Sequence, residues 1–170
     1  SGEWLHRKVW SALGQAELLG IALPAEYGGG GMGLVELGIL LKEQGRVAAP
    51  IPLMQSVGVA GMAIAEFGQD EMKTRLLRKI ASGESIVSAA LAAGASFDPT
   101  SPNVEATRDG DDYLLTGVCS CVAALPLAEF VLVPAKTAAG VGLFLVDPKS
   151  EGIQVIPQVR MDGRNAAIIR

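Results

Sequence analysis

Near residue 85 the spacing of apolar residues changes from near four to two, so the first half of this chain must fold as helices and the second as strands. Leu5, Val9 and Leu13, with Trp4 and Trp10 beside them, predict a first helix within residues 3–19, and Gly20 stands where a left-handed cap ends it. Ile21 to Pro24 reads as extended, and Gly28 to Gly31 followed by Gly33 reads as a flexible turn. From Leu34 to Gly45, apolar residues including Leu34, Val35, Leu37 and Ile39 occupy nearly every side of a second helix, which predicts burial from several directions. A third helix carries Leu53, Val57, Ala60, Ile64 and Phe67, with Gly58 and Gly61 allowing a neighbour to approach closely. Asp70 and Glu71 open a fourth, in which Met72, Leu76 and Ile80 recur before Gly83 stops it.

Beyond the change, Ile86 to Leu91 is an apolar run of strand length, and Val104 to Arg108 alternates up to a turn at Asp109-Gly110. Tyr113 to Gly117, Phe130 to Val133, Gly142 to Val146, Ile153 to Ile156 and Ala166 to Ile169 follow, separated by Pro and Gly at the spacing of a sandwich or barrel. The expected fold is therefore α+β and multidomain. An N-terminal all-α helical domain, residues 1–85, precedes an antiparallel β-barrel or sandwich domain, residues 86–170.

The apolar share is 49% and the charged share 19%, below the roughly 25% usual for soluble domains, so part of the apolar excess is expected at interfaces and the chain is expected in an oligomer or as a fragment. No apolar run approaches the ~20 residues of a membrane span and the first residues lack the apolar core of a signal peptide, which points to the cytoplasm. A net charge of -4 without an extended basic face argues against nucleic acid. Cys119 and Cys121, two apart, fall on one face of a strand, where a relaxed disulfide is awkward. They read as buried reduced thiols. His6 is the only histidine and is expected on the exposed side of the first helix, too isolated for metal chemistry. The Gly28 to Gly33 run is not followed by Gly-Lys-Ser/Thr and reads as a structural turn, not a phosphate loop. Asp109, Asp111 and Asp112 suggest a calcium loop, but Tyr113 at the fifth position and Ser120 at the twelfth favour a hairpin.

Several phrases resemble the acyl-CoA dehydrogenase family. Leu23-Pro24-Ala25-Glu26-Tyr27-Gly28-Gly29 is similar to its P-E-E-Y-G-G turn, and Phe67-Gly68 through Lys73, continuing to Ala81-Ser82-Gly83-Glu84, to its F-G-(x)4-K…A-S-G-E helix. Asp109 to Gly117 resembles the D-G-D-G-Y-V-L-N-G hairpin, Phe144-Leu145-Val146 with Gly152 the F-L-V…G-F strand pair, and Val159 to Ala167 a drifted L-G-M-R-G-S-S-T-A. The resemblance covers nearly the whole chain in order. It implies subunits of a helical domain, a β-barrel and a second helical domain that oxidise the Cα–Cβ bond of an acyl-CoA thioester in lipid metabolism. A Glu of the second helical domain takes the α-proton and the flavin of FAD takes the β-hydride. No residue of these 170 is assigned that Glu.

The resemblance also marks where the flavin is held. Its first barrel strand, A-L-T-E-P-x-A-G-S-D, corresponds to Ala90 to Asp98, one residue shorter. Leu91, Ala92 and Ala93 are the candidate cofactor-binding residues there, and Ser96 and Asp98 the polar candidates for the substrate side. Its next strand, G-x-K-x-W-I-T-N, corresponds to Gly117 to Ala124, so Cys121 stands for the Trp, Ala123 for the Thr, and Cys121, Val122 and Ala123 are the second set of cofactor candidates. Loss of the Trp removes about 150–250 Å² of contact and loss of the hydroxyl about 0.5–1.5 kcal/mol, so FAD binding is expected to be weakened, with backbone bonds from Leu91 to Ala93 and Val122 to Ala124 remaining. The same residues also read as the small-residue interior of a barrel without ligand. Acyl-CoA and acyl-CoA dehydrogenase-like subunits, identical or related, are the expected partners. Two functional readings follow: a flavin-dependent dehydrogenase, or a catalytically incompetent structural subunit paired with a related chain.

Overall fold

The computed structural model describes residues 4–91, 101–158, 160–161 and 163–170. The chain divides into two compact units, Ser1–Val87 and Ser88–Arg170. Among the described residues no helix is long and apolar enough to cross a membrane.

The first unit contains α1 (Arg7–Gln15), α2 (Leu34–Arg46), a π-helical stretch (Met54–Gly61) that runs straight into α3 (Met62–Phe67), and α4 (Asp70–Ser82). Its core is assembled where the apolar spacing of separate elements converges: Leu23, Leu53, Val57, Ile64, Leu76 and Ile80 are fully buried. In α4 the acids Asp70 and Glu71 occupy the first turn and Lys79 the last, matching the helix dipole at both ends. Gly83 ends α4 at φ +78° and its carbonyl accepts the Trp10 indole N–H at 2.9 Å, which ties α1 to the end of α4. A Cβ on Gly83 would stand 2.7 Å from Leu19 Cδ1, so the position excludes a side chain on conformational and steric grounds alike.

The helix expected to be buried from several directions has one fully buried residue. In α2 only Leu37 lies in the core, where it meets the π-helical stretch beside Gly58, while Leu34, Val35 and Ile39 are 65%, 73% and 59% exposed. Leu40 and Leu41 are half-buried, so the uncovered apolar surface of α2 is that of Leu34, Val35 and Ile39. Gln44 fastens its end by donating to the carbonyls of Ala49 and Ile51 at 3.1 and 2.7 Å. The glycine run is a turn as expected: the amides of Gly29, Gly30, Gly31 and Met32 donate to the carbonyls of Pro24, Gly20, Leu23 and Ile21. With those donors spent on backbone, they offer no cradle for phosphate.

The second unit contains β1 (Val87–Ala89), β2 (Glu105–Asp109), β3 (Asp112–Thr116), β4 (Cys119–Ala123), β5 (Phe130–Thr137), β6 (Gly140–Val146), β7 (Val155–Gln158) and β8 (Ala166–Ile169). One sheet has the order β1-β5-β2-β3 with β6 also on β5, and the other the order β4-β8-β7. The hairpins are antiparallel, and β2 meets β5 in parallel where Glu105 is opposite Lys136. Side chains from both sheets, including Ala106, Val122, Val131, Val133 and Ile169, close the core between them. Asp109 pairs with Asp112 across a tight turn, so the three acids form the end of the β2–β3 hairpin, and no metal-ligand cluster occurs among the described residues.

Replacing Gly83 with Ala places an L residue in a left-handed cap against Leu19. The expected loss is about 1–2 kcal/mol from the backbone alone, read as a lowered midpoint in thermal or urea unfolding.

Candidate functional site

The strand that the resemblance assigns to the flavin is irregular in a defined way. Cys119 is opposite Ile169, but Val122 is opposite Ala167 and Ala123 opposite Ala166, so β4 carries one residue more than β8 over this stretch and bulges. The extra residue reverses the alternation of side chains: Cys119 and Val122 are both buried and Cys121 is exposed. The two thiols therefore do not share a face, which corrects the expectation of two buried cysteines. A two-residue period holds only in an unbroken strand.

Two non-glycine residues of this segment lie in the left-handed region, Cys121 at φ +55° and Ala124 at φ +60°, and they bracket Ala123. Each end is held. The bulge leaves the Cys121 amide without a ladder partner, and it donates to Gln158 Oε1 at 2.8 Å. The Ala124 amide donates to the Asn165 carbonyl at 2.9 Å. Because bonding alternates along an antiparallel ladder, Val122 and Ala124 face β8 and Ala123, between them, presents its N–H and C=O to the opposite edge. There the Ala123 carbonyl accepts the hydroxyl of Ser88, which is fully buried in β1.

Of the backbone groups expected to face a flavin, then, those of Ala123 are turned away from the sheet, and Ala124 spends its N–H on Asn165. Val122 contributes its place in the strand, since its side chain is core. Cys121 is exposed and Ala123 half-buried, and both side chains at these positions are small. Leu91 is 41% exposed just beyond β1, whose course toward it is held by the Ala90 amide donating to the Leu132 carbonyl at 2.8 Å. Ala92, Ala93, Ser96 and Asp98 lie outside the described residues. Gly117 starts the segment at φ +153°, and a Cβ there would come within 2.6 Å of the Asn103 carbonyl oxygen, so only glycine lets β4 begin against residues 103–104.

Inside the unit, Cys119, Val104, Leu115, Val133 and Ile169 border an apolar cavity of about 80 Å³. Sites for cofactors run to roughly 300–1,000 Å³, so this cavity is too small for a tricyclic ring. Burial pushes the Cys119 thiol up to about 11. His6, as expected, stays at the first helix, where its Nδ1 accepts the Val9 amide at 3.3 Å.

The first 84 residues match the family model described as the N-terminal domain of acyl-CoA dehydrogenase. The acyl-CoA dehydrogenase FadE27 of Mycobacterium tuberculosis is 34% identical over 149 residues, which is 88% of this chain and 39% of that relative. The chain belongs to the acyl-CoA dehydrogenase family. Among solved structures, a variant of the Tcur3481-Tcur3483 steroid ACAD superposes with a TM-score of 0.91 at 35% identity, covering 99% of this chain and 46% of that one. The ChsE4-ChsE5 complex from Mycobacterium tuberculosis gives 0.90 at 30% identity, covering 98% and 44%. The chain thus spans less than half the length of the acyl-CoA dehydrogenase relatives it matches.

Ser88, Gln158 and Asn165 were not among the residues that sequence reasoning selected. Ser88 carries a faint signal as a hydroxyl inside the apolar run Ile86 to Leu91. Gln158 carries none, because its role arises only from the bulge two strands away.

Two outcomes follow for the thiols. A thiol reagent at pH 8 should modify Cys121 in the folded acyl-CoA dehydrogenase chain and Cys119 only after unfolding, giving one thiol per chain and then two. A raised pKa also makes burial of the neutral Cys119 thiol stabilising below its ordinary value of 9.0. That contribution should fall away as pH rises from there through about 11, visible as a declining unfolding midpoint.

Proposed function

We propose that this chain forms the helical and barrel domains of an FAD-dependent acyl-CoA dehydrogenase subunit, which oxidises the Cα–Cβ bond of an acyl-CoA thioester as part of a longer chain or assembly. One observation carries the reading: at the family's flavin position, β4 holds the Ala123 backbone away from β8, with Cys121 exposed two residues before it. FAD, when bound, supplies the acceptor for the β-hydride. The chain's own part is to present backbone groups from Leu91, Ala92 and Ala93 and from Ala123, with Cys121 along the ring. Ser96 and Asp98 are assigned to the substrate side. The proton-abstracting Glu is assigned to none of these residues, and the cytoplasm is the proposed location.

A second reading, a structural subunit paired with a related chain, is favoured by Cys121 and Ala123 standing where the family has Trp and Thr. It is supported by the likeness to ChsE4-ChsE5, a complex of two components. The two readings separate on cofactor binding. The purified chain, incubated with FAD and freed of excess by gel filtration, should co-elute with flavin absorption bands; a colourless protein moves the assignment to the structural subunit. If the ring edge lies at Ala123, Ala123→Thr restores a hydroxyl there and should tighten FAD about fivefold, equivalent to ~1 kcal/mol, in a flavin fluorescence titration. An unchanged affinity would remove Ala123 from the site.

A further inference from the structure

We infer that Gln158 is a positioning residue for the flavin edge: by accepting the Cys121 amide, it fixes the bulged segment that turns Ala123 outward. The inference rests on the proposed FAD site.

Left-handed backbone at a non-glycine residue is sparsely populated and persists only where the surroundings hold it. Here two such residues, Cys121 and Ala124, stand within four positions. Ala124 is held by the sheet itself, through the Asn165 carbonyl. Cys121 is the residue that the bulge leaves out of the ladder, and the bond given for its amide goes to the Gln158 side chain. That bond closes a row across the sheet. Gln158 and Ala123 are both opposite Ala166, so the glutamine reaches from β7 across β8 to β4 over a methyl group. Removing the acceptor leaves the Cys121 amide unpaired while every backbone bond of the β7–β8 and β4–β8 ladders stays in place.

The loss is therefore local, at residues 121–124, and not a loss of the barrel. The amide group of Gln158 is also oriented by this bond, with its oxygen facing Cys121. Two roles are thus separable by substitution. Glu at this position keeps an acceptor oxygen for Cys121 and has no Nε2. Met keeps the length of the side chain and has neither.

The test compares the native chain with Gln158→Met and Gln158→Glu in two measurements, hydrogen exchange of the amides of residues 121–124 and fluorescence titration with FAD. Gln158→Met should speed exchange in that segment at least tenfold and weaken FAD at least tenfold, with the thermal midpoint within a few degrees of native. Gln158→Glu should restore both to within about threefold of native. If Gln158→Met does not fold, Gln158→Ala, which cannot crowd Ala166, replaces it with the same expectations. Unchanged exchange at 121–124 on removal of the acceptor overturns the positioning role whether or not FAD binds. Exchange rescued by Gln158→Glu while FAD affinity stays low also overturns it, because the contact would then run directly through Nε2. A native chain that holds no FAD, although exchange responds as stated, overturns the flavin site and leaves Gln158 with a purely structural role.

Discussion

One extra residue in β4 governs the arrangement of the candidate site. In a regular antiparallel strand opposite β8, Cys119 and Cys121 would share a face and the backbone of this segment would alternate without interruption. The bulge buries Val122 in place of Cys121, brings Cys121 to the surface, and leaves Ala123 with both backbone groups off the ladder. It leaves one amide unpaired, answered by Gln158, and one carbonyl turned outward, answered by Ser88. The Ser88 bond is part-buried, so its loss would cost more than a typical hydrogen bond returns, while the Gln158 bond lies at an exposed position and orders the Cys121 backbone.

The small residues at 121 and 123 affect affinity and geometry differently. A Trp and a Thr contribute area and a hydroxyl, and their replacement subtracts from affinity. Backbone groups are independent of side-chain identity, so strand geometry is kept in a sequence whose recognisable letters have changed. The chain superposes on the steroid ACAD variant with a TM-score of 0.91, a likeness of fold, and fold and activity have to be argued separately.

Much of the architecture was legible because it follows from period and punctuation. The change from a spacing near four to one of two marks helices and then strands, and Gly83 stops α4 as expected, whereas the left-handed cap expected at Gly20 is not formed: α1 ends at Gln15 and Gly20 lies outside the left-handed region. Two features were not legible, for physical reasons. Burial of α2 cannot be inferred from its own pattern: six apolar residues around a helix describe what it can pack against, and only Leu37 is fully buried. The bulge in β4 is set by register against β8 and by Gln158, far along the chain, and Cys-Ser-Cys-Val-Ala carries no glycine to announce it. Since the faces of Cys119 and Cys121 depend on that register, the local pattern assigned them wrongly.

The proposed site puts FAD along the outer edge of β4 with Ala123 at its ring. A titration of the 15N-labelled chain with FAD, followed in amide correlation spectra, reads this residue by residue. The Ala123 amide should shift most, accompanied by Cys121 and Leu91, while the β7 and β8 amides paired within their sheet hold still. Saturable shifts elsewhere with Ala123 unmoved would contradict it.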